Sequence, residues 1–204
     1  MERNQNYVEL WGVAAGEPVF SHENHTRRFD KFPLRVERLS GQNDVPVIVA
    51  SEALLRVCPV EEGQSLRIVG QLRSFNNKSG QGSRLVISVF VRELIPGGAA
   101  PFNQIQLSGI LCKTPTLRRT PLGREICDLI LAVNRRYGRA DYLPCIAWGV
   151  IAQQTAILPV GSRLTVEGRV QSRGYTKTVD GVEQERTAYE VSIMRPAEPE
   201  EFFL

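Results

Sequence analysis

Residues 161–172 read Gly-Ser-Arg-Leu-Thr-Val-Glu-Gly-Arg-Val-Gln-Ser and show the period of two that is typical of a β-strand. The apolar residues from Leu164 to Val170 share one parity with Gly168, so this side of the strand is predicted to face a core. Residues 63–74 read Gly-Gln-Ser-Leu-Arg-Ile-Val-Gly-Gln-Leu-Arg-Ser and repeat the pattern. Glycine inside a strand relieves crowding where a sheet curves strongly, so the pattern indicates small barrels.

The repetition extends over most of each half of the chain at an almost constant offset. The pairs that match at an offset of 97 residues are Leu10-Trp11-Gly12 with Leu107-Ser108-Gly109, Pro18 with Pro115, Val36 with Val133, and Asp44 with Asp141. The offset becomes 98 in the strand quoted above. A nearly constant offset is typical of tandem duplication, because chance similarity would drift. The sequence therefore predicts two domains of one architecture.

Each half contains five strand-like runs and a short helical candidate after the third. The runs are Tyr7–Val13, Phe29–Arg38, Val45–Ala50, Ser65–Arg73 and Arg84–Leu94, then Gln104–Lys113, Glu125–Arg135, Tyr142–Trp148, Ser162–Gln171 and Thr187–Met194. The helical candidates are Ser51–Val57 and Gly149–Ile157. A five-stranded barrel with a helix between strands three and four is the OB-fold arrangement. We therefore predict an all-β chain of two tandem five-stranded OB-fold barrels.

A Pro/Gly/Ala segment between the two halves indicates a linker, which sets the predicted domain boundaries. We assign residues 1–95 to the first OB-fold domain, 96–102 to the linker and 103–195 to the second OB-fold domain. Residues 196–204 form an acidic and apolar tail.

Composition excludes several classes of protein. The chain has 204 residues, of which 42% are hydrophobic and 23% charged, as in ordinary globular proteins. No apolar run approaches the ~18 residues of a membrane span, and no secretory signal precedes the first strand. The four cysteines lack metal-ligand spacing, which favours reduced thiols and a cytoplasmic location.

No motif indicates catalysis or a cofactor. The chain lacks a phosphate-binding glycine loop, and its two histidines, His22 and His25, lie in one loop without a third ligand nearby. We therefore expect a protein that is not an enzyme, with no metal and no cofactor. A solvated loop is the default interpretation of the two histidines.

Most of the basic residues of the chain are arginines. The net charge is only +3, and arginine supplies 21 of the 25 basic residues. Arginine suits forked phosphate contacts and stacking on flat rings, so a polyanion ligand is one interpretation. A solvated surface accounts for the charge equally well.

Period-two alternation predicts a ligand face on the second half. Tyr142, Pro144, Ile146 and Trp148 share the outward side of the third strand. The outward side of the next strand along the chain carries Arg163, Arg169, Arg173 and Tyr175. We expect the last three of these residues to lie beside the two rings of the third strand. Aromatic rings among arginines form a platform for unpaired bases. The alternative is that the two large rings pack against the helix or a partner subunit.

Several consecutive blocks carry a family resemblance. They are Asn103–Leu111, Thr114–Gly123, Leu131–Tyr137, Ala140–Gly149, Val166–Tyr175 and Asp180-Gly181. Over roughly residues 103–194 the chain resembles the bacterial single-stranded DNA-binding protein family, which wraps DNA over OB-fold surfaces. The resemblance implies stacking by Tyr137, Tyr142, Trp148 and Tyr175. It also implies basic contacts by Arg118, Arg119, Arg135, Arg136, Arg169 and Arg173.

The first half resembles the family only in its framework. Valine and serine occupy the outward third-strand positions, although Arg73 and Phe75 remain as candidate DNA contacts on the fourth strand. Trp11 is either exposed or at an interface, and we favour an interface. The first half is therefore interpreted as a degenerate copy that serves assembly or weaker backbone contact.

The resemblance also implies partners. Its single-domain members commonly form tetramers, so a chain with two barrels is expected to form a homodimer with four OB domains. The tail resembles an acidic, apolar-ended tip that recruits replication or repair proteins, with Glu200, Glu201, Phe202, Phe203 and Leu204 as the candidate contacts. The implied function is sequence-independent binding and protection of single-stranded DNA in replication, recombination and repair, in the nucleoid-associated cytoplasm. The alternative is a replication adaptor similar to primosomal replication protein N, or a purely structural assembly protein.

Overall fold

The computed structural model of the chain describes residues 6–77, 85–98, 100–135, 138–179 and 181–197, without the side chains of Lys177 and Val179. Strands predominate, and both helices are short. The strands are β1 (Asn6–Ala14), β2 (Val19–Asn24), β3 (Arg27–Glu37), β4 (Asn43–Asp44), β5 (Val47–Ser51), β6 (Ser65–Asn76), β7 (Leu85–Pro96), β8 (Phe102–Leu111), β9 (Thr116–Arg119), β10 (Glu125–Asn134), β11 (Ala140–Trp148), β12 (Arg163–Val179) and β13 (Val182–Pro196). The helices are α1 (Glu52–Val57) and α2 (Gly149–Ala156).

The described residues divide into two compact units. One comprises Val8–Asn103 and Gln171–Tyr189, and the other comprises the described parts of Met1–Tyr7, Gln104–Val170 and Glu190–Leu204. Each unit contains a closed barrel. The first barrel consists of β1, β3, β5, β6 and β7, and the second consists of β8, β10, β11 and the adjoining parts of β12 and β13.

The first barrel closes through one parallel contact among antiparallel ones. Strand β1 pairs with β6, β6 with β7, and β3 with both β5 and β1. Ile48 and Val49 of β5 pair in parallel with Val89 and Phe90 of β7. Inward side chains fill the barrel because alternate residues of every strand point to one core, and Ile48 and Val89 are fully buried.

The second barrel has the same strand order. Strand β8 pairs with β12 and β10, β10 pairs with β11, and β13 lies next to β12. The parallel contact joins Cys145 and Ile146 of β11 to Val191 and Ser192 of β13. Helix α1 follows β5 and α2 follows β11, so each lies between the third and fourth barrel strands. The prediction of two five-stranded OB-fold barrels, each with a short helix, is confirmed.

Glycines stand where the curved strands approach most closely. A Cβ placed on Gly70 would lie 2.3 Å from the carbonyl oxygen of Phe90, and one on Gly168 would lie 2.3 Å from that of Ser192. Both distances are far below van der Waals contact, so no other residue fits without moving the backbone. The recurrence of glycine at matched positions therefore follows from barrel curvature.

Some elements lie outside the predicted runs. Strands β2, β4 and β9 are short and mostly exposed, so they carry little of the apolar alternation on which a sequence prediction depends. Strands β12 and β13 extend to Val179 and from Val182, well past the predicted ends at Gln171 and Thr187. Their exposed outer parts likewise lack an apolar face.

The helices begin differently although they occupy equivalent places. Ser51 precedes α1, and its hydroxyl accepts a hydrogen bond from the backbone nitrogen of Leu54 at 3.3 Å. Trp148 precedes α2 and makes no side-chain capping bond. Within the described ranges, neither helix has the length and apolar character that crossing a membrane requires.

Candidate nucleic-acid interface

A buried ion pair fixes the loop between the second and third strands of each barrel. In the second barrel Arg135 grips both carboxylate oxygens of Asp141, with Nε donating to Oδ2 at 2.6 Å. In the first barrel Arg38 grips Asp44 in the same way, with Nε donating to Oδ2 at 2.8 Å. The two aspartates that the repeat aligns therefore form equivalent ion pairs in the two barrels. Asp44 also raises the pKa of Arg38, chiefly through this hydrogen bonding.

The ion pair gives Arg135 a structural role. Its side chain is 25% exposed, whereas that of Asp141 is fully buried. A buried carboxylate needs a partner because burial removes its hydration. Arg135 is predicted to contact DNA phosphate, and that role stays a prediction; releasing the guanidinium for it would leave Asp141 without this partner.

The rings predicted for the third strand of the second barrel lie on its outward side. Tyr142 is 53% exposed, and Trp148 is half-buried. The indole nitrogen of Trp148 donates to the hydroxyl of Ser192 on β13 at 3.1 Å, which holds the ring against the sheet. Ser192 is the register partner of Ile146, so the hydrogen bond to Ser192 brings the indole close to the Ile146 side chain.

Ile146 departs from the prediction of an outward, accessible face. It has the outward parity of Tyr142 and Trp148, yet it is only 4% exposed. The register places it between Asp128 and Ser192, with the anchored indole of Trp148 beyond it. Parity assigns a side of the strand correctly here, but neighbouring side chains cover that side.

The two arginines of β9 are held by carboxylates of β10. Arg118 donates to Asp128 through Nε and, at 3.1 Å, through Nη2. This hydrogen bonding is the main cause of the raised pKa of Arg118. Arg119 binds Glu125 at 3.1 Å. The pKa of Glu125 is lowered chiefly by a hydrogen bond from Gln153, and to a smaller extent by one from Arg119. Exposed pairs of this kind are weak, so a phosphate can replace the carboxylate.

The predicted row on the fourth strand does not adjoin the third strand. Strand β13 lies between β11 and β12, because the last strand of the barrel inserts there in parallel with β11. The prediction that Arg169 lies beside the rings of the third strand is therefore wrong, because β12 and β11 are not neighbours. Arg169 belongs to the unit of Tyr142 and Trp148, whereas Arg173 and Tyr175 belong to the unit that contains the first barrel.

Within that unit, β12 contacts the first barrel next to Arg173. The hydroxyl of Ser172 accepts a hydrogen bond from the backbone nitrogen of Val45 at 2.8 Å. The backbone nitrogen of Ser172 donates to Asp44 at 3.1 Å. Arg173 is exposed and Tyr175 is half-buried. These bonds fix the backbone from which both candidate contacts project.

The candidate contacts of the first barrel lie on the outward side of β6. Phe75 is 54% exposed, and Arg73 donates to Gln71 at 2.6 Å. Trp11 on β1 is half-buried, donates to Glu9 at 2.9 Å and packs edge-on against Phe102 with ring centroids 6.3 Å apart. Trp11 is thus packed within its own unit rather than freely exposed.

The sequence prediction overlooked the rings that replace an aromatic third strand in the first barrel. Phe29 on β3 and Phe90 on β7 contact each other with centroids 5.5 Å apart. The only sequence signal was the parity of Phe29, which opposes that of the buried Phe32 and Leu34. Ser192 was overlooked as well, since a serine in a strand carries no signal for an indole partner.

Some predicted contacts lie outside the described residues. They are Arg136, Tyr137, Glu200, Glu201, Phe202, Phe203 and Leu204. Among the residues that the structure does describe, no cluster of three metal-ligating side chains occurs. Burial raises the pKa of the Cys145 thiol, which keeps it protonated and inert at neutral pH.

The second barrel therefore has the chemistry to hold unpaired bases. An exposed phenol and an anchored indole offer flat faces, and exposed arginines flank the neighbouring strands. Rings of this kind stack on any base, whereas arginines bind the charged backbone.

Comparison with known proteins identifies relatives of the second half. The profile of the Single-strand binding protein family matches residues 102–196. The chain is 41% identical over 81 residues to Single-stranded DNA-binding protein B of Bacillus subtilis (strain 168), across 36% of this chain and 72% of that protein. It is 39% identical over 80 residues to Single-stranded DNA-binding protein 2 of Listeria innocua, across 36% of this chain and 50% of that protein. The matched region thus spans only half of the second relative.

Solved structures share the whole fold. The wild-type single-stranded DNA binding protein from Thermus aquaticus aligns with a TM-score of 0.75 and 24% identity, covering 97% of this chain and 94% of that chain. A deletion mutant of the same protein aligns with a TM-score of 0.76 and 23% identity, covering 98% and 96% of the two chains. At this identity the likeness establishes the fold alone, over nearly the full length of both chains.

Proposed function

Because the chain belongs to the single-strand binding protein family, we propose that it binds single-stranded DNA without sequence preference, by stacking bases on the second barrel and contacting phosphates with arginines. Proteins of this family bind DNA and are not enzymes. The observation that carries the proposal is the outward side of β11, where Tyr142 is 53% exposed and Trp148 is anchored to Ser192.

Fluorescence tests this proposal directly because the chain has only two tryptophans. Trp11→Phe leaves Trp148 as the sole indole, and Trp148→Phe leaves Trp11. We expect oligo-dT to quench the emission of Trp11→Phe strongly and that of Trp148→Phe weakly, since Trp11 is half-buried and packs edge-on against Phe102. Equal affinity for duplex and single strand at moderate salt would refute the stacking mechanism.

The proposed physiological role is protection of single strands in DNA replication, recombination and repair. All three processes expose unpaired DNA, and a sequence-tolerant platform suits each of them. We propose a homodimer with four OB domains as the binding species. Light scattering across micromolar concentrations tests the dimer, and a monomer throughout that range contradicts it.

We also propose that residues 196–204 contact replication or repair proteins. The support is compositional, since Glu200 and Glu201 precede three large apolar residues. A basic pocket with an apolar slot is the kind of partner surface that fits. Deletion of residues 198–204 is expected to abolish partner capture with the melting temperature unchanged, and a large fall in melting temperature would assign the segment to the fold instead.

One observation favours a second candidate, a replication adaptor that acts mainly through protein contacts. Arg118, Arg119 and Arg135 are each engaged by a carboxylate, which lowers the free positive charge of the proposed face. The fluorescence titration separates the two candidates. A folded chain whose Trp148 emission does not respond to oligo-dT supports the adaptor.

A further inference from the structure

One large ring meets one small polar side chain where β11 and β13 pair in parallel. Trp148 ends β11, and its indole nitrogen donates to the hydroxyl oxygen of Ser192 on β13 at 3.1 Å. Ile146 is the register partner of Ser192, and Trp148 lies two residues further along β11 on the same side. Ser192 is therefore the diagonal neighbour of Trp148 and reaches the ring from the adjacent strand.

The first barrel has the same two positions with the ring and the serine exchanged. Phe90 of β7 and Ser192 of β13 are each the second residue of the parallel pairing in their barrel. Ser51 ends β5 as Trp148 ends β11. Each barrel thus combines one large ring and one serine at these two positions, on opposite strands in the two barrels. A small residue across from the ring is therefore common to both seams.

Ser192 is fixed on both sides by its backbone. On one side the parallel pairing joins it to β11. On the other side its carbonyl oxygen lies so near Gly168 of β12 that a Cβ on this glycine would come within 2.3 Å. Ser192 is also only 4% exposed. Its hydroxyl is therefore an acceptor at a fixed place, and the hydrogen bond to it sets the orientation of the indole.

The hydrogen bond also decides what the ring can offer a base. An indole has a single N–H donor and no acceptor, and Ser192 takes that donor. The half-buried ring of Trp148 is left with its flat surface, on which any base can stack. Hydrogen bonds to base edges, which discriminate between bases, are not available from it. A ring held in place also loses less freedom when a base stacks on it.

We propose that Ser192 is a positioning residue of the DNA-binding site, which acts by orienting the indole of Trp148 and occupying its N–H. Ser192 is too deeply buried to be a contact itself, so its whole effect on binding passes through Trp148. The proposal rests on the proposed function and deepens it. It assigns part of the site to the last strand of the barrel, whose side chains below Met194 lie outside the predicted set of contacts.

A double-mutant cycle in the full chain tests this role. Ser192→Ala removes the acceptor and should weaken oligo-dT binding about threefold to tenfold, because the ring must then be ordered by the DNA. Ser192→Thr keeps a hydroxyl and should bind as the unaltered chain does. Trp148→Phe keeps a ring but has no N–H, so adding Ser192→Ala to it should cause no further loss. An equal loss in both backgrounds would refute the proposal.

Ser108 provides the matched control. It is a buried serine on β8 of the same barrel, and its hydroxyl accepts a hydrogen bond from Thr165 at 3.0 Å. Ser108→Ala therefore removes a comparable buried acceptor whose donor is not a ring. It should bind oligo-dT as the unaltered chain does, even if its melting temperature falls. A loss of binding equal to that of Ser192→Ala would show general destabilisation and refute the positioning role.

The motion of the indole gives a readout that does not depend on DNA. In the Trp11→Phe chain, Trp148 is the sole tryptophan, and the decay of its fluorescence anisotropy reports how freely the ring moves. Ser192→Ala should accelerate this decay, whereas Ser192→Thr should not. An unchanged decay would refute the proposal, as would normal DNA binding by Ser192→Ala, and the proposed function would stand in both cases. If the unaltered chain binds no single-stranded DNA, the proposed function itself fails.

Discussion

The residue that ends the third strand serves different purposes in the two barrels. Ser51 ends β5 and caps α1, and its register partner is Phe29. Trp148 ends β11, caps nothing, and has Ile126 as its register partner. One side chain cannot both cap a helix and place a large ring on the sheet. The first barrel therefore has its rings on β3 and β7, where the second has Ile126 and Ser192.

The framework beneath these faces is the same. Both barrels have a bidentate pair between an arginine and a buried aspartate, and both have glycine where a strand meets a carbonyl. The shared features depend on geometry that any such barrel needs, whereas the ring positions depend on which residues meet the ligand. The two classes of residue should therefore respond to different measurements.

The largest expected effect comes from the shared framework. Arg135→Ala leaves the fully buried carboxylate of Asp141 without its bidentate partner, which should cost about 3–5 kcal/mol of stability. Chemical denaturation measures the loss. Arg139→Ala is the control in the same loop, because Arg139 is exposed, and it should unfold as the unaltered chain does. If the two variants unfold alike, the ion pair is not a framework element.

Trp148→Ala should act on binding instead. Loss of the indole should weaken oligo-dT binding by about 1–3 kcal/mol, the contribution of one stacked base. Fluorescence anisotropy with a labelled oligonucleotide measures this. Ser51→Ala at the equivalent position should bind normally. A Trp148→Ala protein that melts early but binds fully at low temperature would show that the indole only packs.

Ser51→Ala provides the converse test. Removal of the hydroxyl that caps α1 should lower stability by about 1 kcal/mol. Ser51→Asp is the matched variant that restores a capping oxygen and should recover the loss. Denaturation curves of the unaltered chain and the two variants measure the free energy of unfolding. If Ser51→Ala and Ser51→Asp have the same stability, the cap does not contribute.

The smallest effect is expected at the exposed ion pairs of β9. Arg119→Gln removes one candidate phosphate contact, so the slope of log affinity against log salt should fall by about one. The melting temperature should not change, because the pair with Glu125 is exposed. An unchanged salt slope would show that Glu125 keeps Arg119 from the phosphates.

The sequence was sufficient to predict the features that follow from the alternation of side chains along a strand and from the internal repeat. The repeat identified both aspartates of the ion pairs, and parity placed Tyr142 and Trp148 on one side of β11. It could not show that Arg135 is the partner of Asp141, since both pairing and phosphate binding select arginine. Parity also could not show that Ile146 is covered, because cover comes from residues distant in the chain. Nor could it reveal that His22 lies on Phe29, which depends on a bulge in β2 after Phe20.

The parallel contact that closes each barrel has a consequence for the order of folding. The parallel pairs join Ile48 to Val89 and Cys145 to Val191, so each barrel closes only after its fifth strand is in place. Such distant pairings carry a high loop-closure cost and slow the search for the native state. Strands β6 and β7 pair antiparallel and follow each other directly in the sequence, so this pair can form earlier. The parallel seam is therefore expected to be the last part of each barrel to form, and mutations at Val49 or Ile146 should accelerate unfolding more than they slow folding.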